Sequence, residues 1–304
     1  MKKFCTVFLI ISAFMLFALN LPAAEKYDTK LPKKIDDLVK QLEHKSVKER
    51  QKATKKLTRI GRPAVNDLCF ALSDNDNRFA RMCCAEALGI IGDASAVPSL
   101  IKALSDQNSR VRAFSARALG ELGNSSAVTP LVKVVKKDDA SIARVFAATA
   151  LGKLGDREAV STLLKALKND EDVEVRVASA NSLGILGDVS SLSSLCEVLL
   201  DDKDTGVRVA CADALAELGD REASSFLAEA LLEDHAHQVR SSCAFSLGKV
   251  GTNSAVPALI KSLNDEYRDV VVYSQDSLVS ITGRNIKGYN NWQQWWEDNK
   301  DLLE

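Results

Sequence analysis

With 304 residues, 46% hydrophobic and only 6% aromatic, the chain has the composition of packed, Ala/Leu-rich helices. That excludes a disordered chain and a disulfide-dense miniature domain. A formal net charge of −1 gives no case for nucleic-acid binding, so no such partner is expected.

In chain order, Lys2 and Lys3 precede an apolar run from Phe4 to Leu19, and Ala23 and Ala24 follow before the polar Glu25. This pattern reads as a secretory signal peptide over residues 1–24, or as an N-terminal membrane anchor where it is not removed. The rest of the chain is then expected to be periplasmic or secreted. Residues 25–34 are predicted to be a linker. Ile35, Leu38, Val39 and Leu42 recur at helical spacing, and Arg50 to Gly61 is the next predicted helix.

From there the chain repeats itself. Arg81, Arg112, Arg144, Arg176, Arg208 and Arg240 are separated by 31, 32, 32, 32 and 32 residues, and a leucine follows each by seven positions, from Leu88 to Leu247. Self-similarity at such a period predicts a stacked array in which each unit completes its neighbour's core. One unit, Arg81 to Leu104, contains two helical patterns separated by Gly92, which suits the left-handed residue that ends a helix. Three residues after that glycine come predicted N-caps, Ser95, Ser126, Ser190 and Ser254, with Glu158 and Glu222 in the other two units. A second glycine (Gly89, Gly120, Gly152, Gly184, Gly248) falls inside the first helix of five units, where it costs about 1 kcal/mol relative to alanine. Ala216 replaces it in one unit, so the expected requirement is a small residue against which a neighbouring helix closes. After Gly283 the pattern breaks into a tail holding all three tryptophans, Trp292, Trp295 and Trp296. They are predicted to close the core on a last helix spanning part of 284–304.

The pattern VR-x-x-A-x-x-ALG-x-LGD-x-x-AVP-x-LI-x-AL resembles the short bacterial HEAT repeat shared with phycobilin lyase subunits, over about residues 31–283. The Trp-rich tail resembles the ending of other exported bacterial HEAT-repeat proteins. The resemblance implies an all-α superhelix, here about eight helix pairs over 35–283, with first helices on the convex side and second helices on the concave side. It also implies that the repeated arginine is structural, bonding an acidic residue or carbonyls in the preceding turn. Asp74, Asp106, Asp170, Asp201 and Asp265 stand in such turns.

Few residues point to chemistry. Cys69 and Cys84 are related as Cys196 and Cys211 are, fifteen residues apart, which makes two candidate disulfides; the alternative is that cysteine is a small apolar filler, as at Cys243. His235 and His237, beside Asp234, have part of a zinc ligand set but lack a third protein ligand in sequence. The HEAT-repeat enzyme deoxyhypusine hydroxylase relies on His-Glu dipeptides, and this chain has none. No cofactor is expected. Charge is segregated: Lys26 to Arg62 holds 13 basic and 5 acidic residues, whereas Glu197 to Asp234 holds 3 and 11. A candidate partner-binding row runs along the second helices as Lys102, Lys133, Lys165, Glu197, Glu229 and Lys261. The expected function is a non-catalytic protein-interaction scaffold of the cell envelope. The alternative that the resemblance implies is a lyase-like enzyme or chaperone handling a tetrapyrrole.

Overall fold

The computed structural model describes residues 30–303, so the signal-peptide expectation for 1–24 lies outside the described residues. Among these there are seventeen α-helices and no strand. Numbered in chain order, the first helices of the units are α2 (Val47–Ile60), α4 (Arg78–Ile91), α6 (Ser109–Leu122), α8 (Ser141–Leu154), α10 (Val173–Leu186), α12 (Thr205–Leu218), α14 (His237–Val250) and α16 (Arg268–Thr282). The second helices are α1 (Leu31–Gln41), α3 (Val65–Asp74), α5 (Val97–Ala103), α7 (Val128–Lys137), α9 (Val160–Asn169), α11 (Leu192–Asp201), α13 (Ser224–Glu233), α15 (Val256–Ser262) and α17 (Tyr289–Leu303). The array is therefore eight pairs preceded by a half unit. Its first helix begins at Leu31, inside the predicted linker, because Pro32 sits where a first helical turn needs no amide hydrogen.

Each corner is built the same way. Gly92, at φ +76° and ψ +17°, ends α4 in the left-handed region with its amide on the Leu88 carbonyl. One turn of 3-10 helix, Ala94–Ala96, follows before α5 begins, and it displaces the cap. The predicted caps three residues after the glycine do not cap. The residue directly after the glycine does, and Asp93, Asn124, Asp156, Asp188 and Asp220 accept the amides of Ser95, Ser126, Glu158, Ser190 and Glu222. Thr252, the equivalent residue before Ser254, makes no side-chain cap. The hydroxyl and amide of Ser95, and then the Arg62 guanidinium, hold the Asp93 carboxyl down at about 2.

Successive first helices meet backbone to backbone. A Cβ on Gly120 would lie 2.9 Å from the Cα of Ala150, and one on Gly89 equally close to that of Ala118. Three junctions add a hydrogen bond: the hydroxyls of Ser182, Ser246 and Ser277 donate to the carbonyls of Ala148, Ala212 and Ala244 at 2.9, 2.9 and 2.7 Å. Second helices stand further from one another, and each packs chiefly on the first helix of the next unit. The core runs continuously between the two layers, through fully buried Leu88, Leu119, Leu151, Leu183, Leu215 and Leu247. At the far end Trp292 is fully buried, and its Nε1 donates to Gln275 Oε1 at 3.0 Å. Trp295 packs edge-on against it, closing a core that no further unit covers. Among the described residues no helix is long and apolar enough to cross a membrane.

Candidate partner-binding face

Lys102, Lys133, Lys165, Glu197, Glu229 and Lys261 each stand sixth in their second helix, and all are exposed. The structure thus aligns them in one row. The row has an earlier member that sequence reasoning missed: Phe70, sixth in α3, is 70% exposed. Counting 32 residues back from Lys102, the spacing of the repeat itself, reaches it. Glu197 is paired with Lys168 at 2.5 Å. Among the described residues the other charged members of the row have no ion-pair partner. A groove of about 450 Å³ between α5 and α7 runs beside Lys133, floored by Ile101, Leu104, Pro130 and Val134. The groove between α11 and α13 is instead acidic, lined by Asp201, Glu229 and Glu233 together with Lys203.

In the opposite layer three pairs of charges join neighbouring first helices. Glu86 pairs with Arg117 at 3.1 Å, Glu121 with Lys153 at 2.5 Å and Glu217 with Lys249 at 3.5 Å, each across a unit boundary. Phe114 stacks on Phe146 with centroids 6.2 Å apart.

Between the layers, at the turns leading into each first helix, lies the arginine ladder. Arg208 Nη1 donates to the Asp202 carbonyl in its own preceding turn at 2.8 Å, while Nε and Nη2 form a fork on Asp234 at 2.7 and 2.9 Å. Arg81 with Asp106, Arg112 with Asp138, Arg144 with Asp170, Arg176 with Asp202 and Arg240 with Asp265 repeat the fork. The carbonyl contact is in the preceding turn, but the carboxylate comes from the following one, 25 or 26 residues on. Asp74 and Asp201 are therefore not partners: both are exposed on the ends of α3 and α11, and Asn75 and Asp202 occupy the inward positions. At Asp138 and Asp234 burial pushes the carboxyl up. The arginine fork and a backbone amide outweigh it, so both sit below the usual range, and Asp265 behaves alike.

The cysteine pairs are brought near one another, yet all six described cysteines stand as free thiols. Burial pushes the Cys196 thiol up to about 11, and those of Cys84, Cys211 and Cys243 higher still, so at neutral pH they are protonated apolar fillers and poor nucleophiles. The two histidines diverge. His235 lies 3.5 Å from Arg208 Nη2, whereas His237 is held by Asp269 at 3.1 Å and stacks on Tyr267 at 4.1 Å. Among the described residues no three potential metal ligands converge.

Comparison with known proteins agrees with this architecture. The model of HEAT repeats matches residues 35–104, 91–145, 128–210 and 193–278. The X-ray structure of YibA from E. coli is similar over 85% of this chain and 98% of its own, at 20% identity and a TM-score of 0.60. Kap95p, solved with RanGDP, is similar over 97% of this chain and 45% of its own, at 13% identity and a TM-score of 0.63. The complex of CpcE and CpcF of phycocyanin lyase from Nostoc covers 86% of this chain and 98% of its own, at 21% identity and a TM-score of 0.46. At these identities the likeness to YibA and Kap95p is one of fold. No curated protein matches the sequence.

Proposed function

Because the chain belongs to the HEAT-repeat family, we propose that it is a non-catalytic scaffold that holds a protein partner along its second-helix face, on the outer side of a cell membrane. The observation that carries this reading is the contrast between the two layers. Three pairs of first-helix charges join across unit boundaries, whereas Lys102, Lys133, Lys165, Glu229 and Lys261 face solvent without ion-pair partners among the described residues. Aligned and unpaired, they are available to an elongated ligand, and the unequal order of signs along the row, three lysines, two glutamates and a lysine, fixes its direction. Phe70 adds an exposed aromatic anchor at one end of the row, the kind of residue on which interfaces concentrate their energy. The charge pattern of residues 1–24 supports export.

The test is affinity capture from a native envelope fraction with the wild-type chain and a Lys102→Glu/Lys133→Glu/Lys165→Glu variant. A partner recovered by the first and lost with the second is the expected result. Equal recovery by both removes the row from the interface, and capture only from cytoplasm removes the envelope assignment.

A further inference from the structure

The first unit departs from the register of the others at the position where stacking is tightest. The tenth residue of every first helix from α4 to α16 is a buried alanine or serine, from Ala87 to Ser277, and it meets the preceding first helix. In α2 that residue is Lys56, and it is exposed. Lys48, Lys52, Lys55 and Arg59 fall on the same helical face at spacings of three and four, where α4 has Phe79, Cys83, Glu86 and Ile90. Lys52 is paired with Glu49. Lys33 and Lys34 of α1 continue the cationic surface around a groove of about 840 Å³ with Leu38 and Ile60 on its floor and one carboxylate, Asp37.

A terminal unit needs a polar outer face, but not a cationic one. The other end shows this: α17 presents Asn290, Gln293, Gln294, Glu297 and Asp298, and its one base, Lys300, is paired with Glu297. We infer that the α1–α2 end of the array docks on a membrane surface through the headgroups of anionic phospholipids. Two observations favour a bilayer over an acidic polypeptide. The cations spread over a broad end face instead of following a single row, as a flat sheet of charge requires. The apolar run Phe4–Leu19 also ends eleven residues before Lys30, so this is the end of the array nearest in sequence to that run. The inference goes beyond the scaffold reading and uses none of the residues of the second-helix row.

The test is partition of the full chain onto vesicles of pure phosphatidylcholine and vesicles containing phosphatidylglycerol. A Lys33→Glu/Lys34→Glu/Lys56→Glu/Arg59→Glu variant of unchanged melting temperature is compared with it. Each cation near an anionic surface is worth about fivefold in partition, so the wild type should prefer the anionic vesicles by at least tenfold, and the variant should lose that preference. Raising the salt to 0.5 M should abolish it as well. The Lys102→Glu/Lys133→Glu/Lys165→Glu variant should partition as the wild type does. Equal binding to both vesicle types, an unchanged preference in the end-face variant, or tighter binding of soluble poly-L-glutamate than of the vesicles would overturn the inference. None of these results bears on partner capture by the row.

Discussion

The two helical layers share one repeat but are built on opposite principles. In the first-helix layer, small residues let backbones touch, serines donate across the junction, and outward charges find partners one unit away. In the second-helix layer the helices are spaced apart, with grooves between them and charged side chains aimed outward. From α4 onward the first layer spends more of its interactions on cohesion, and the second leaves more of them available. The lesson is that cohesion and recognition need not compete in a stacked array, because each is assigned to a different face of every unit.

The comparison breaks most completely in acid. Asp138, Asp234 and Asp265 have folded pKa values below the unfolded value of about 4, so each contributes stability that is fully present above that value and lost as the pH falls through the lower folded one. These three rungs lie at different turns of the array, so their losses add. Thermal melting should be nearly constant from pH 7 to 5 and should drop steeply as the pH falls below about 4, by more than any single substitution causes. A gradual decline beginning at pH 6 would mean that groups other than these carboxylates govern the loss. A single rung comes next. Arg208, 3% exposed, holds the half-buried Asp234, and Arg208→Ala leaves that carboxylate without its fork at a cost of about 3 kcal/mol, measured by urea denaturation. A cost below about 0.5 kcal/mol would class the rung with ordinary surface pairs.

How far these features were legible in the sequence varied with their range. The period, the helix-ending glycines and the closing tryptophans are local or strictly repeated, and the structure has the helices where the pattern places them. The ladder was legible only on one side. An arginine and the carbonyls five and six residues before it lie in one turn, but its carboxylate lies a unit ahead. Choosing Asp202 over Asp201 requires knowing which side of a helix end faces the next turn. The caps were misplaced by two residues because nothing in the pattern announces an extra 3-10 turn after Gly92. Phe70 stands one unit before Lys102, in α3, ahead of the unit Arg81 to Leu104 from which the repeat is read. The serines at 182, 246 and 277 look like ordinary helix polar residues, and only the approach of the neighbouring backbone makes them donors across it.

Smaller perturbations sharpen the comparison within the first-helix layer. Gly120→Val forces a branched side chain against Ala150 and should cost about 2 kcal/mol, whereas Lys133→Val on the other layer should change the melting temperature negligibly. Similar losses for the two would erase the distinction between the layers.

Ser246→Ala should cost less, about 1 kcal/mol, because the Ala212 carbonyl it abandons keeps its place within its own helix. The junction at Ser246 also carries Ala216 where five other units carry glycine, so its helices already accommodate one extra methyl group. If the hydroxyl compensates for that methyl by clamping the pair, Ser246→Ala should be costlier than Ser182→Ala, whose partner is Gly152 and whose helices can still close by contact alone. Equal losses at the two serines would assign the cohesion of both junctions to the hydrogen bond. A negligible loss at both would assign it to backbone contact, leaving the serines as small residues that only happen to be polar.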